Sequence, residues 1–239
     1  SDGGILYEYY AVGGILIDSV VVGDLLPTPT PSPAPTLHVK GALERAISQP
    51  GDDVEELSGI GAISMNSNNL ELVEDVAHPD GTQVVGLRFT EVAVPRNATI
   101  QSAHIEFVVN KTSNAPTSLQ ISGERGGDAQ RFSASNYNVS ARPLTNPVTW
   151  DDISAWEKVG NVHKTPDLGA IVRQIVSLPT WMDGNAMVFV FAGSGLRTAA
   201  AYDISAGVAP QLHIEYVVGQ PPYPEDEDIH MQFFPSVTR

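Results

Sequence analysis

Four carboxylates are the residues of this chain best suited to chemistry: Asp53 and Glu55 in the run DDVEE, Glu71 in NLELVED, and Asp203 in AAAYD. Asp53 and Glu55 are two residues apart, so on an extended segment they leave from the same side. Carboxylate oxygens are the donors calcium prefers, which makes the four a candidate calcium set. No loop here has the spacing of a dedicated calcium motif, and a run of acids is also what a solvated face looks like. A second group comes from an internal echo. HIEFVV at His104 to Val109 recurs as HIEYVV at His213 to Val218, and alternation puts His and Glu on one face, Ile and Phe or Tyr on the other. His104, Glu106, His213 and Glu215 then read either as a His/Glu metal cluster or as a solvated sheet face with cross-strand polar pairs, the commoner arrangement.

Support for catalysis is thin. The six histidines are scattered, there is no HExxH, no GxSxG and no P-loop, and Gly193-Ser-Gly195 lacks the strand, helix and acidic partner of a nucleotide loop. Without cysteine there is no disulfide, thiolate metal site or thiol nucleophile. A chain with no enzymatic activity is therefore expected. Thirteen Lys plus Arg against 28 Asp plus Glu give a formal charge of −15, which repels phosphate backbones and anionic membrane surfaces. Nucleic acid is not an expected partner. The chain begins at Ser1 without Met or a basic leader, and the expectation drawn from this is a mature secreted, cell-surface protein.

The elements that must position these residues are strands. In VVGLRFTEVAVPRNATIQSAHIEFVV, Val84 to Val109, the residues Val85, Leu87 and Phe89 alternate with smaller or polar ones, Pro95-Arg-Asn-Ala makes a tight corner, and Ile105, Phe107 and Val109 resume the alternation. Such a strand pair needs a second sheet over its apolar face. Further strands are expected at 43–48, 60–65, 70–73, 118–124, 186–191 and 210–218, separated by turn chemistry such as Pro50-Gly-Asp-Asp53 and Asn66-Ser-Asn-Asn69. The segment Pro166 to Ser177 reads as the one helix. Thr165 is placed to cap it, Pro166 stands first, and Leu168, Ile171, Val172, Ile175 and Val176 form its apolar face. The fold class predicted is all-β: an antiparallel jelly-roll-like β-sandwich with one short helix, plus an extended N-terminal β-arm, with Leu87, Phe89, Ile105, Phe107, Leu212 and Ile214 in the core.

Composition divides the chain into an arm (1–26), a proline-rich spacer (27–36), the sandwich (37–218) and a Pro/acidic tail (219–239). ILYEYYAVGGILIDSVVV has strand composition broken by Gly13-Gly14, which suits a hairpin or one bent strand. A membrane span is disfavoured because Glu8, Asp18 and Asp24 would each cost roughly 2.5 to 3.5 kcal/mol at membrane depth. PTPTPSPAPT predicts polyproline II, a semi-rigid spacer on the order of 30 Å long. Left unpaired in water, the arm would be an aggregation hazard, so a covering partner is expected. Its alternate apolar residues Ile5, Tyr7, Tyr9, Ile15, Ile17 and Val21 are the expected subunit contacts, and Ile229, Met231, Phe233 and Phe234 form a second apolar patch in the tail.

The segments DDVEE, NLELVED, VVGLRFTEVAVPRNATIQSAHIEF, TPDLGAIVRQIV and GSGLRTAAAYD followed by APQLHIEY together resemble, over about residues 43–218, a secreted bacterial β-sandwich module of the DNRLRE-type, carbohydrate-binding-module-like jelly rolls. That resemblance implies an extracellular, non-enzymatic module, and it raises the weight of the calcium reading because many such jelly rolls hold a structural calcium. Two functions follow as expectations. The first is a structural subunit of a pilus-like extracellular filament, in which identical subunits join by adding the arm of one as a strand to the next. The alternative is a polysaccharide-binding or adhesive module stacking sugars on Trp150, Trp156, Trp181, Tyr137 or Tyr202.

Overall fold

The computed structural model describes residues 37–75, 81–151 and 153–220. The arm, the spacer and the tail from residue 221 lie outside the described residues. Two antiparallel sheets face each other. The first contains β1 (Leu37–Ala46), β12 (Gln211–Gln220), β6 (Thr99–Lys111), β11 (Thr198–Ala200) and β4 (Asn69–Glu71) in that order, with β9 (Val162–Lys164) also pairing β6. The second runs β3 (Ile63–Ser64), β2 (Asp53–Leu57), β5 (Gln83–Phe89), β10 (Met187–Ser194), β7 (Ser118–Gly123) and β8 (Val148–Trp150). Taking β1-β12-β6-β9 over β5-β10-β7-β8, the chain passes back and forth between the sheets in jelly-roll order. Among the described residues the one α-helix, α1 (Gly169–Val176), packs on β6 and β7. Among the described residues no helix is long and apolar enough to cross a membrane.

Alternation decides which side of each strand is buried. In β6 the inward row Ile105, Phe107 and Val109 is at most 1% exposed, while Ser102, His104 and Glu106 between them stay half-buried on the outer face. Phe107 meets Phe191 of the opposite sheet edge-on at 5.6 Å between ring centroids, and Trp150 and Trp156 lie at 6.5 and 6.4 Å. All six residues expected in the core are there, none of them more than 1% exposed. The second sheet is covered on both faces, because the excursion between β7 and β8 lays Ala129, Phe132 and Val139 over Val54, Val188 and Val190. This explains why Met187 to Phe191 are buried without alternation.

Three local expectations change. The two strands of Val84 to Val109 do not pair with each other: β5 pairs β2 and β10, whereas β6 pairs β12, β9 and β11, so the corner at 90–98 carries the chain from one sheet to the other. Val92 and Val94 plug that corner at 0% exposure, and the Trp181 indole donates to the Val94 carbonyl at 2.9 Å. The strand expected at 60–65 shortens to 63–64, since Gly61 takes φ +70° in a turn that leaves Ile60 exposed. The helix begins at Gly169 instead of Pro166. Thr165 does not cap it, because its hydroxyl accepts from the Ile105 amide and donates to the Pro166 carbonyl; Asp167 Oδ1 instead accepts from the amides of Gly169 and Ala103.

One close approach fixes the pairing of β1 with β12. A Cβ at Gly41 would sit 2.3 Å from the Tyr216 ring, so glycine there lets the tyrosine lie across the neighbouring strand, with its hydroxyl donating to the Ala93 carbonyl at 3.3 Å. The ladder itself is ten pairs long, from Leu37 opposite Gln220 to Ala46 opposite Gln211.

Phe107→Ala removes the ring at the centre of both sheets. It is expected to lower unfolding free energy by about 3 to 5 kcal/mol, read from the urea midpoint at unchanged m-value.

Candidate functional site

The run DDVEE is not a solvated face. Asp52, Asp53, Glu55 and Glu56 are all buried, at 0%, 3%, 7% and 0% exposure. Alternation along β2 splits them. Glu56 turns under the excursion between β7 and β8 and accepts the amides of Val139 and Ser140 at 2.7 and 3.1 Å. Asp52, just before the strand, pairs with Arg88 at 3.1 Å. Asp53 and Glu55 share the opposite side, as their spacing predicts.

On that side the candidate calcium ligands come together two by two. Asp53 Oδ2 accepts the Tyr202 amide at 2.7 Å, next to Asp203, while Asp53 Oδ1 and Asp203 Oδ2 are buried without a partner. Glu55 Oε1 accepts the Glu71 amide at 2.8 Å and the Gln83 amide nitrogen at 2.9 Å, and Glu71 pairs with Lys111 at 3.2 Å. No three of the four bring ligand atoms within 4.8 Å of one another. Glu55 and Glu71 line an open pocket of about 420 Å³ with Asn69, Asp75, Gln83 and Lys111, and its lining contains no aromatic ring.

Burial without enough donors controls the protonation of these acids. Desolvation, followed by the charge of Asp203, outweighs the Tyr202 hydrogen bond and raises the Asp53 carboxyl to about 7. Desolvation, followed by the neighbouring Glu71, raises Glu55 to about 8. Both sites hold a proton that an exposed acid would release.

The histidine echo forms a compact cluster on the outer face of the first sheet. β6 and β12 pair with His213 opposite His104, and the rings stack at 4.7 Å with 6° between planes. Glu106 reaches both: Oε1 lies 3.6 Å from His104 Nε2 and Oε2 lies 3.6 Å from His213 Nε2. Ligand atoms of His104, Glu106 and His213 all fall within 4.8 Å of one another. Glu215 is not among them. Antiparallel pairing about the two histidines sends it away from Glu106 to a place opposite Ser102, whose hydroxyl donates to it at 3.2 Å. Lys164 on β9 pairs with Glu106 at 2.9 Å, and Glu44 on β1 stands 3.5 Å from His213 Nδ1. Burial, then the charge of Lys164, lowers the His104 pKa; the Lys164 hydrogen bond lowers that of Glu106. Lys164 and Glu44 were not singled out by sequence, because only the register of β9 and β1 brings them to this face.

The remaining expected site residues divide simply. Trp150, Trp156 and Trp181 are buried at 8%, 0% and 1% exposure and Tyr202 is half-buried, so among the proposed sugar platforms only Tyr137 is exposed. Ile5, Tyr7, Tyr9, Ile15, Ile17 and Val21, and Ile229, Met231, Phe233 and Phe234, lie outside the described residues.

No protein-family model matches the chain. No curated protein matches it. Among solved structures, a chain from Desmodium yellow mottle tymovirus is similar over 92% of this chain and 96% of its own, at 9% identity and a TM-score of 0.31. A likeness that loose carries no argument about fold or function.

The protonated acids give a pH test. Between the ordinary value of 4.5 and about 8, folded protein keeps a proton on Glu55 that the unfolded chain has released. Stability is therefore lost as pH rises through that window, and the loss is complete above about 8. Glu55→Gln, permanently neutral and able to accept the same two hydrogen bonds, is expected to unfold at higher urea than the parent at pH 8.5 and to fall less steeply between pH 5 and 8.5. Parallel pH profiles for the two proteins would show that Glu55 does not hold that proton.

Proposed function

We propose that the chain is a non-enzymatic, extracellular structural module whose copies join into a fibre when the apolar arm of one adds as a strand to the sheet of the next. The observation that carries this reading is the outer edge of β1. It is ten residues long and, among the described residues, pairs on one side only, with β12. An unpaired edge of that length presents main-chain donors and acceptors in the form that strand addition uses. The same strand follows directly on the spacer and the arm, so each copy carries a donor and an acceptor in tandem.

The contact between donor and acceptor is heterologous. Repetition of such a contact builds an open chain of subunits unless its rotation closes a ring. Ile5, Tyr7, Tyr9, Ile15, Ile17 and Val21 supply the alternate apolar side chains of the donor, and the tail patch at Ile229, Met231, Phe233 and Phe234 supplies a second contact. A ten-residue spacer of polyproline II, the conformation its sequence predicts, would reach on the order of 30 Å, enough for a donor to meet another copy. Lys40, Glu44 and Arg45 on β1 keep the free edge soluble before docking. Among the described residues, recognition of polysaccharide would rest on exposed Tyr137 or on the polar pocket beside Glu55 and Glu71, because the tryptophans are committed to the core.

Sedimentation velocity and negative-stain microscopy of the full chain beside a version lacking residues 1–26 test the reading. The full chain is expected to form extended assemblies and the truncated one to stay monomeric, while a labelled peptide of residues 1–26 binds the truncated protein. Two monodisperse monomers of equal thermal midpoint would end the strand-addition proposal.

A further inference from the structure

The outer face of the first sheet holds a group of acceptors that strand addition does not use. In register across three strands stand Glu44 on β1, His213 on β12 and His104 on β6, and Glu106 lies one step along β6. Nε2 of His104 and Nε2 of His213 are both shielded from solvent, and neither has a hydrogen-bond partner. Each faces an oxygen of the same carboxylate at 3.6 Å, beyond hydrogen-bonding range. Glu44 stands 3.5 Å from His213 Nδ1, on the other side of the ring from Glu106, where a ring proton on Nδ1 would leave Nε2 free to bind. Lys164 stands 2.9 Å from Glu106 Oε1, yet neither Nε2 has a partner of its own.

We propose that His104, Glu106 and His213 form a binding site for a divalent first-row transition metal of the zinc class, held by Nε2 of both imidazoles and the Glu106 carboxylate. Donor chemistry selects the metal. Two imidazoles and a carboxylate suit zinc, copper or nickel, whereas calcium takes oxygen. Spacing agrees as well. Tetrahedral zinc with bonds of about 2.1 Å sets its ligand atoms roughly 3.4 Å apart; each Nε2 lies 3.6 Å from a Glu106 oxygen, Oε1 for His104 and Oε2 for His213, and one ligand atom from each of the three residues falls within 4.8 Å of the others. The rings are nearly parallel, so metal capture requires them to turn until their in-plane lone pairs converge. Lys164 competes for Glu106 at 2.9 Å and must give way. Three protein ligands leave one position for water or for a donor from another molecule. Glu44 acts as the positioning residue, orienting His213 through Nδ1.

The site stands or falls independently of fibre formation, and zinc titration of the full chain in phosphate-free buffer tests it. One saturable equivalent is expected, undisturbed by excess calcium. His104→Gln and His213→Gln should each weaken it by at least ~100-fold, and Glu44→Gln by ~10-fold, since removing even an outer-shell partner costs about 10- to 100-fold. His38→Gln should leave it unchanged. Lys164→Met, which frees Glu106 without touching a ligand, should tighten it, and this variant decides the matter if a histidine variant fails to fold. Zinc binding that is absent or unmoved by both histidine substitutions, or that does not tighten in Lys164→Met, overturns the proposal.

Discussion

The contact between Phe107 and Phe191 across the two sheets is the interaction on which the remaining geometry depends. Phe107 lies near the middle of β6, a thirteen-residue strand, and its ring closes against one from the opposite sheet at 5.6 Å. Committing that ring to the interior commits Ile105 and Val109 as well, and a slip of one residue would expose the whole row. The same parity sends His104 and Glu106 to the other face. The histidine cluster is thus a geometric consequence of how the core is filled, and the pairing of β12, which buries Leu212 and Ile214, brings His213 to the same face.

Charge inside the sandwich is managed mostly by the backbone. Glu56 is held by two amides and Asp53 by one, whereas Arg197, 1% exposed, donates to the carbonyls of Ala115, Ile153, Ser154 and Leu196 and to the Thr117 hydroxyl. Arg197 therefore ties three loops together, with no acidic partner among the described residues. Main-chain dipoles are fixed in place, so they hold a buried ion without the entropy cost of ordering a second long side chain. Where the dipoles run short, at Asp53 and Glu55, the carboxyl keeps its proton instead.

Period-two alternation made much of the fold legible from sequence. Leu87, Phe89, Ile105, Phe107, Leu212 and Ile214 lie where alternation puts them, and the HIEF and HIEY echoes do pair. Three things were hidden, each because it depends on what lies opposite. The corner after Phe89 looks the same in sequence whether the chain folds back in its own sheet or crosses to the other. Asp167, not Thr165, serves the first turn of α1, because the Thr165 hydroxyl is drawn to β6 by tertiary contact. The acids of β2 carry solvent-like composition but lie under β4, the loop at Tyr202 and the excursion between β7 and β8. Composition reports what a residue prefers; here the covering segments decide.

The β1–β12 ladder determines how the domain responds to pulling. Leu37 and Gln220 face each other at its open end, so the chain enters and leaves the sandwich on adjacent antiparallel strands from the same end. Tension between those two points peels the strands apart pair by pair; it does not slide them past each other against many hydrogen bonds at once. The ladder opens as a zipper, yielding at low force and lengthening the molecule by the residues it releases. The pairs behind the opening, and the aromatic core beyond Ala46 and Gln211, stay shielded until the zipper has run its length. A copy tethered by both its leading and trailing segments would thus give way first at this seam, absorbing extension before the sandwich itself bears the strain.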